Sequence, residues 1–402
     1  MRIRSLLLGL ISVAGLTSHA QSADTIENAF REGEAHLNFR YRYENVDQDG
    51  FSDDARASTL RTRLNYRTEV WRGLRFFVEL DDLTYVGDDD FNNTRNGKVS
   101  RPVVADPDGT DVNQLYVDYN LEDTVLRLGR QRINLDNQRF VGGVGWRQNE
   151  QTYDAFTVSN NSIANTTVVY SYIDNVSRIF GPENGVPAKD LDSQNHVFNL
   201  NYKSSGGANI SAYAYFMDLK DADTLSNRTV GVRYSNTFEL MDLKFPVNVE
   251  FAGQEDYGDN PFSYSANYYL LEAGIALEGI KVMVANEVLE GNDRVAGEAF
   301  VTPAATLHAF QGWADQFLAT PPAGIDDRYV SVSGGLFGGN VGLTWHKFEA
   351  ESGSADYGNE WDLAFSRKLT DHFSLLLKVA RYQEDGFSVD TTKAWLMLSA
   401  DF

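Results

Sequence analysis

Short segments in which apolar and ionisable residues alternate recur along the chain, and this pattern restricts its possible folds more than any other feature. The segment from Glu34 to Val46 places Leu37, Phe39, Tyr41 and Tyr43 on one face and His36, Asn38, Arg40, Arg42 and Glu44 on the other. A period of two predicts β-strands, because successive side chains of a strand point to opposite faces. Each such strand needs an apolar environment on one side and a polar environment on the other.

Two further segments repeat the pattern with a strongly charged face. In Ser58 to Trp71, the residues Leu60, Leu64, Tyr66 and Val70 oppose Arg61, Arg63, Asn65, Arg67 and Glu69. In Tyr357 to Lys368, the residues Trp361, Leu363 and Phe365 oppose Glu360, Asp362, Ser366 and Lys368. An Arg or Lys side chain in the middle of a lipid bilayer costs about 2–4 kcal/mol, so the charged faces must line a wet interior.

The fold class predicted from these strands is all-β, a transmembrane antiparallel β-barrel. After the N-terminal region, no stretch of 18 uncharged apolar residues occurs that would form a membrane helix. Only helices and closed barrels satisfy every backbone polar group in hydrocarbon, which leaves the barrel. The 20 Tyr, 24 Phe and 6 Trp residues suit strands and membrane interfaces.

The N-terminus reads as a secretory signal peptide, residues 1–20. Arg2 and Arg4 precede an apolar run from Leu6 to Leu16, and small residues stand before a cleavage point after Ala20. The alternative is a short anchoring helix, but the run is shorter than the roughly 20 residues that span a membrane. With no internal repeat and no long linker, residues 21–402 are interpreted as a single outer-membrane β-barrel domain.

The same rule applied throughout predicts about 18 strands joined alternately by short turns and long polar loops. The strands are expected to start near Glu34, Ser58, Leu74, Asp111, Thr124, Thr152, Ala164, Ser193, Ala208, Leu225, Leu243, Tyr264, Gly279, Arg328, Gly339, Tyr357, His372 and Thr391. Bacterial outer-membrane barrels place short turns in the periplasm and long loops outside. The predicted location is therefore the outer membrane of a Gram-negative bacterium.

The last predicted strand indicates how the chain reaches the membrane. It runs from Thr391 to a C-terminal aromatic residue, Phe402, with apolar residues on one face. A terminal Phe on an amphipathic strand resembles the assembly signal of outer-membrane barrels, so barrel assembly machinery is an expected partner. Trp395 and Tyr382 are expected to be membrane-interface anchors.

The charge balance excludes one class of partner and marks the loops. With 57 acidic and 35 basic residues the net charge is −22, and loss of Arg2 and Arg4 with the signal makes it −24, which argues against nucleic acid. Two predicted loops are rich in acid and are interpreted as solvated, with contact to divalent ions or lipopolysaccharide as the alternative. Their acidic residues are Asp47, Asp49, Asp53, Asp54, Asp88, Asp89, Asp90, Asp106, Asp108 and Asp111.

No catalytic, metal or cofactor site is predicted. The histidines beyond the signal, which are interpreted mostly as lumen or turn residues, are scattered: His36, His196, His308, His346 and His372. The chain has no cysteine, no His-Glu-x-x-His and no Gly-x-Ser-x-Gly motif, so neither a transition-metal site nor a nucleophile elbow is indicated. A barrel hydrolase whose Ser-His pair is hidden by spacing is retained as a minor alternative.

The candidate pore residues are arginines on the polar faces of the first two strands and arginines in and after the fifth strand. The set is Arg40, Arg42, Arg61, Arg63, Arg67, Arg127, Arg130, Arg132, Arg139 and Arg147. A guanidinium fits a carboxylate in a planar fork, and a ring of arginines favours anion passage. The acids Glu44, Glu69, Glu79, Asp81 and Asp118 lie on the same faces, so the alternative is that mixed charges only hold the lumen side chains together.

Two segments carry a family resemblance. They read LGRQRINLDNQRFVGGVGWRQN from Leu128 to Asn149 and LHAFQGWADQF from Leu307 to Phe317. Together they resemble the alginate-export family of outer-membrane porins. The resemblance implies an 18-stranded monomeric barrel with an arginine-lined constriction, and it adds weight to the pore arginines of the first segment. It also implies that the loop near Trp313 folds toward the mouth and gates it, with a flexible external loop as the alternative.

The predicted function is an outer-membrane channel for anionic or sugar-like solutes, small or polymeric, including an alginate-type polysaccharide. Its expected partners are the solute, outer-membrane lipid and lipopolysaccharide. The alternative from another class is a plugged barrel that acts as a surface receptor or structural protein.

Overall fold

The computed structural model describes residues 23–402, which form a closed antiparallel β-barrel of 18 strands. Each strand pairs with its neighbours in sequence, and the first strand pairs with the last from Asn38↔Asp401 to Gln48↔Thr391, which closes the sheet. The predicted signal peptide, residues 1–20, lies outside the described residues.

The strands follow one another with few other elements. Their bounds are β1 Glu34–Gln48, β2 Ala55–Arg67, β3 Leu74–Asp90, β4 Gly109–Leu121, β5 Thr124–Gln131, β6 Thr152–Asn160, β7 Thr166–Ser177, β8 Asp190–Lys203, β9 Asn209–Met217, β10 Asn227–Leu240, β11 Leu243–Asp256, β12 Ser265–Leu277, β13 Ile280–Leu289, β14 Ile325–Leu336, β15 Gly339–Glu349, β16 Asp356–Lys368, β17 Phe373–Gln383 and β18 Thr391–Asp401. A short helix, α1 (Ile26–Arg31), precedes β1, and single 3₁₀ turns occur at Asp223–Leu225 and Leu307–Ala309.

The predicted strand count and the alternation are both confirmed. The predicted first residue coincides with the observed one for Glu34, Leu74, Thr124, Thr152, Leu243, Gly339 and Thr391. Elsewhere the observed start differs by up to three residues, as in β2, which begins at Ala55 rather than Ser58 because Ala55 pairs with Val46 of β1. Cross-strand hydrogen bonds extend past the segment in which the side-chain pattern is visible.

The side chains divide as a membrane barrel requires. Arg42 and Glu44 on the inner face of β1 are fully buried, whereas outward Leu64, Leu80 and Leu128 are 47%, 41% and 66% exposed. The outer face of the wall is thus apolar and its inner face carries buried charges, the reverse of a soluble domain.

Two predicted interface anchors point the other way. Trp395 and Tyr382 are 3% and 1% exposed and lie inside the barrel. Trp395 precedes Leu396 on β18, so the outward position of Leu396 forces Trp395 inward. The Tyr382 hydroxyl donates to the backbone carbonyls of Tyr357 and Phe387. The prediction that they are interface anchors is wrong, because it used their aromatic character and not their position in the strand alternation.

The connections differ in length at the two ends of the barrel, as predicted. At one end, short turns such as 72–73 and 122–123 join the strands. At the other end several connections are long, and the two longest are loop 3, residues 132–151 between β5 and β6, and loop 7, residues 290–324 between β13 and β14. Both enter the lumen, where Phe140 packs against Tyr213, Tyr268 and Phe300, so a hydrophobic core lies inside the barrel.

The helix α1 lies against the outer wall at the end of the barrel with short turns. The Tyr66 hydroxyl donates to the carbonyl oxygen of Phe30, and the Phe30 and Phe76 rings are 6.3 Å apart. No helix within residues 23–402 is long and apolar enough to cross a membrane.

Gly129 on β5 is expected to be essential for the β4–β5 pairing. Its φ is +128°, and an added Cβ would overlap the carbonyl oxygen of Leu115. Gly129→Ala should therefore destabilise the folded barrel by about 1–3 kcal/mol, the usual cost of a strained backbone position. Urea unfolding, followed by the mobility shift of the folded barrel on a gel, measures the change. Gly206→Ala is the matched control, since the nearest atom to its added Cβ is 3.8 Å away; an equal loss in both variants would contradict the assignment.

Candidate pore constriction

Loops 3 and 7 meet inside the barrel and narrow its lumen. The Gly142 N–H donates to the Ala304 carbonyl at 2.9 Å, and the Thr306 N–H donates to the Gln138 carbonyl at 3.0 Å. A parallel bridge joins Val141 and Ala304. Because β5–β6 and β13–β14 lie nearly half the ring of strands apart, the joined loops cross the lumen. The loop near Trp313 therefore folds into the barrel, as the family resemblance implies, and is not a flexible external loop.

A pair of arginines faces the lumen directly across two strands. Arg40 on β1 is opposite Arg61 on β2, and they are 8% and 5% exposed. Arg40 donates to the Gln148 side chain and the Gly145 carbonyl, both at 2.8 Å, and to the Arg147 carbonyl. Two of the Arg61 guanidinium nitrogens, Nε and Nη1, have no hydrogen-bond partner. Like charges directly opposite each other destabilise a sheet, so this pair lowers the stability of the β1–β2 pairing.

Glu150 of loop 3 is the principal counter-charge of this wall. Its carboxylate is 2.8 Å from Arg63 Nη1, 2.6 Å from Arg132 Nε and 3.6 Å from Arg61 Nη1. Burial alone would raise the pKa of Glu150, but the guanidiniums of Arg132 and Arg63 hold it well below its usual range. Glu150 is therefore a fixed anion at neutral pH, and it ties loop 3 to β2.

Nearer the centre, loop 3 is bound to β1 by a second ionic cluster. Arg42 is 3.2 Å from the Asp106 carboxylate and lies over the Trp146 ring at 4.3 Å. Arg147 contacts Glu44 at 3.3 Å and Asp315 of loop 7, also at 3.3 Å. Asp106 is fully buried, so its predicted role as a solvated loop residue is wrong. The loop carrying it folds inward to neutralise Arg42.

Loop 7 is anchored by one carboxylate with three cationic or polar partners. Asp315 lies 2.7 Å from Lys393 Nζ on β18, 2.7 Å from His308 Nδ1 and 3.3 Å from Arg147. Burial opposes ionisation, yet Lys393 and His308 keep the pKa of Asp315 well below its usual range. The carboxylate therefore stays charged and holds loops 3 and 7 to the β18 wall.

The tip of loop 7 also binds carboxylates through its backbone. The Ala314 N–H donates to Glu360 at 2.7 Å, and the Trp313 N–H donates to Asp362 at 3.2 Å. Both acids lie on β16 and are almost completely buried. The backbone of the loop thus supplies one hydrogen bond to each buried carboxylate, while Glu360 Oε2 and Asp362 Oδ1 have no hydrogen-bond partner among the described residues.

Lys378 on β17 lies in a cage of tryptophans beside this anchor. Its Nζ is 3.6 Å from the Trp313 ring centre, 4.1 Å from Trp146 and 5.3 Å from Trp395, and 2.8 Å from His308 Nε2. Cation–π contact partly replaces the water that the ammonium loses. Burial and the Lys378 charge lower the pKa of His308 well below its usual value. A neutral His308 that accepts from Lys378 and donates to Asp315 fits both contacts.

The predicted arginines do not form one set. Arg139 lies deep in the lumen, 2.9 Å from Glu287 and above the Phe310 ring. Arg127 forms a two-bond pair with Asp118 at 2.7 and 3.0 Å, and Arg67 pairs with Glu34 near the end with short turns. In much of the wall, arginines and acids therefore neutralise each other, which is the alternative that the sequence left open.

Arg130 lies on the opposite face from the lumen. It is opposite Leu115 of β4 and Asp154 of β6, and it follows outward Leu128 by two residues. Its guanidinium forms a two-bond pair with Asp154 at 2.8 and 2.9 Å. The prediction that Arg130 lines the pore is corrected, because only alternate residues of β5, such as Arg127 and Gln131, face inward.

Several lumen residues were not selected from the sequence. Asp315, Lys378 and Lys393 have no local pattern that distinguishes them, although Lys378 and Lys393 alternate with apolar residues on their strands. Arg75 of β3 is on the same face as Glu79 and Asp81, and alternation alone would have identified it. In the part of the chain that the structure describes, no group of three or more potential ligands is arranged to hold a metal ion.

Comparison with known proteins gives one family and one fold. The sequence model described as "Alginate export" matches residues 31–272. No curated protein matches the chain.

Solved outer-membrane proteins share the architecture at low sequence identity. The Acinetobacter baumannii protein OccAB4 is 12% identical, with a TM-score of 0.71 over 92% of this chain and 98% of that chain. Pseudomonas aeruginosa OccK1 (OpdK) is also 12% identical, with a TM-score of 0.70 over 93% and 99%. A structure of Pseudomonas aeruginosa OpdK with vanillate has a TM-score of 0.69 at 12% identity, over 93% and 99% of the two chains. These likenesses establish the 18-stranded barrel.

Asp315→Asn is expected to release loop 7 and increase the single-channel conductance of the refolded protein. The change removes the charge that neutralises Lys393 and contacts Arg147, and breaking a buried ion pair costs about 3–5 kcal/mol. Asp293→Asn is the control in the same loop, because Asp293 is solvent-accessible and contacts Arg294 at 3.8 Å. Equal conductance of the Asp315→Asn variant and the unmodified channel would show that this carboxylate does not hold the constriction.

Mild acid is expected to weaken the same anchor through His308. The released imidazole takes up a proton near pH 6.5, whereas the docked imidazole, with its lowered pKa, stays neutral. Docking is therefore fully stable above that pH and loses up to about 1.4 kcal/mol per pH unit below it. The number of open events per minute should rise between pH 7.5 and 5.5, and His308→Gln should reduce the pH dependence. A pH profile unchanged by His308→Gln would assign the effect to another group.

Proposed function

Because the chain belongs to the alginate export family, whose members are outer-membrane channels, we propose that it passes small anionic solutes, including acidic sugars, through the constriction between loops 3 and 7. The protein acts as a channel rather than as an enzyme. The pore residues proposed are Arg40, Arg42, Arg61, Arg63, Arg132, Arg139 and Arg147.

The opposed pair Arg40 and Arg61 is the observation that carries this proposal. A wall that only needed cohesion would alternate its charges, since like charges opposite each other lower stability. Here Arg40 is bound by carbonyl and amide oxygens rather than by carboxylates. Arg61 has one distant carboxylate neighbour, Glu150 at 3.6 Å, and two of its nitrogens form no hydrogen bond within residues 23–402. This pair therefore keeps positive charge for a passing anion, whereas Arg63 is already occupied by Asp81 and Glu150.

The contact between loops 3 and 7 inside the lumen favours a small solute over a polymer. Loops 3 and 7 are hydrogen-bonded to each other inside the lumen, and a hydrophobic core surrounds their contact. A polysaccharide would need both loops to leave their sites, whereas a monomer needs a smaller opening. One of the similar solved structures is of OpdK with vanillate, a small aromatic carboxylate, which supports the same solute class.

The same core favours a second candidate, a plugged barrel that serves as a surface receptor or structural protein. Phe140, Tyr268 and Phe300 are buried inside the barrel with ring centres 5.3–5.9 Å apart. This candidate has no conductance at rest and differs from the first in one measurement.

Three further features belong to the proposal. Residues 21–402 form one domain, the signal peptide is cleaved after Ala20, and the strand ending at Phe402 engages the barrel assembly machinery. Mass spectrometry of the N-terminus of the mature protein tests the cleavage point.

Arg61→Gln is expected to lower the anion preference of the open channel. The reversal potential of the refolded protein in a planar bilayer under a salt gradient gives the ratio of anion to cation permeability. A unit charge at roughly 10 Å stabilises an anion by on the order of 0.4–1.7 kcal/mol, between water and an effective dielectric of 20, and destabilises a cation by the same amount. Twice this energy enters the permeability ratio, which should therefore fall by about fourfold or more.

Arg228→Gln is the matched control, because Arg228 is an exposed arginine on β10 that pairs with Glu255 outside the lumen. The proposal fails if Arg61→Gln and Arg228→Gln leave the permeability ratio equally unchanged. A bilayer that stays silent with correctly folded protein supports the plugged barrel.

A further inference from the structure

One inner-wall arginine, Arg75, has neither a carboxylate nor a carbonyl oxygen as partner in the described part of the chain. Arg75 on β3 shares its face with Glu79 and Asp81, which bind lumen arginines, so its side chain faces inward. Among residues 23–402 it forms no ion pair, and its buried Nε has no hydrogen-bond partner. Asp118, its direct neighbour across β3 and β4, is bound instead by Arg127.

Two aromatic rings lie beside Arg75 on the same wall. Phe77 is two residues further along β3 and is opposite Tyr116 of β4. Their ring centres are 4.9 Å apart with an interplanar angle of 21°, a stacked arrangement. Both rings are only partly buried, so they present apolar surface to the lumen near the end with short turns.

The position of Tyr116 is fixed by its other neighbours. Gly129 is opposite Tyr116 on β5, and a Cβ there would collide with the Tyr116 backbone. The Arg127 guanidinium lies 3.8 Å from the Tyr116 ring centre and is held there by its two bonds to Asp118. The surface is therefore built in advance of any ligand, which reduces the entropy cost of binding.

We propose that Arg75, Phe77 and Tyr116 form a solute-binding subsite on the periplasmic side of the constriction, specific for a carboxylate attached to a ring. The Arg75 guanidinium binds the carboxylate, and the Phe77 ring contacts the ring of the solute through the face that is not stacked on Tyr116. Tyr116, which lies between Phe77 and the Arg127 guanidinium, holds Phe77 in place. A guanidinium matches a carboxylate in geometry and charge, and a flat apolar surface suits an aromatic ring or the apolar face of a sugar ring. The subsite rests on the proposed channel function and adds a second contact point beyond the constriction.

Equilibrium dialysis of the detergent-solubilised barrel with radiolabelled benzoate, glucuronate or acetate tests the subsite without requiring an open channel. Benzoate and glucuronate should bind, and acetate, which has no ring, should bind more weakly. Arg75→Gln should raise the dissociation constant for benzoate and glucuronate by about tenfold or more, the effect of one charged hydrogen-bonded contact. Phe77→Leu should weaken benzoate binding and leave acetate binding unchanged.

Lys203→Gln is the matched control, since Lys203 is an exposed cation that ends β8 at the same end of the barrel. Arg75 has no partner to lose, so its replacement should leave urea unfolding unchanged. Equal binding by Arg75→Gln and the unmodified protein overturns the subsite, and equal weakening by Lys203→Gln reduces it to general positive charge.

The same ligands should be added to the periplasmic side of a planar bilayer. Block of the current that Arg75→Gln relieves supports both the subsite and the channel. Binding by dialysis with a silent bilayer supports the subsite and rejects the channel.

Discussion

The cost of burying charge inside a tube surrounded by lipid controls this structure. Lumen arginines without partners in a confined space cost stability, so most of them recruit a carboxylate or a carbonyl oxygen. Loops 3 and 7 supply many of these partners: Glu150 to the β2 wall, Asp315 to the β18 wall, and backbone oxygens of loop 3 to Arg40. The arginines thus determine where the loops lie, and the loops determine the shape of the passage.

Much of the fold could be predicted from the sequence because the membrane imposes a simple rule. Lipid on one side and water on the other force alternation, and alternation is visible in single strands such as Glu34–Gln48. The wrong assignments were made without this rule. Arg130 was grouped with its neighbours in sequence, although it is two residues after the outward Leu128 and so shares its face. Trp395 was assigned by residue type although Leu396 fixes it inward.

The candidate site was less accessible to prediction because it depends on long-range contacts. Nothing in the segment around Asp106 indicates that it will be buried against Arg42, which is 64 residues earlier. Likewise, the meeting of Gly142 with Ala304 joins two loops that are distant in the chain, and no local pattern encodes it. The sequence identified the arginines of the wall, but their partners are specified only by closure of the barrel.

The bridge between Val141 and Ala304 has a consequence for gating. Because the two loops share hydrogen bonds and the Arg147–Asp315 ion pair, neither can leave the lumen without breaking the contacts of the other. Opening is then cooperative, and the two loops behave as a single mechanical element. Such a channel switches between two discrete current levels, a lower one with both loops docked and a higher one with both released, and a change that frees either loop raises the fraction of time spent at the higher level.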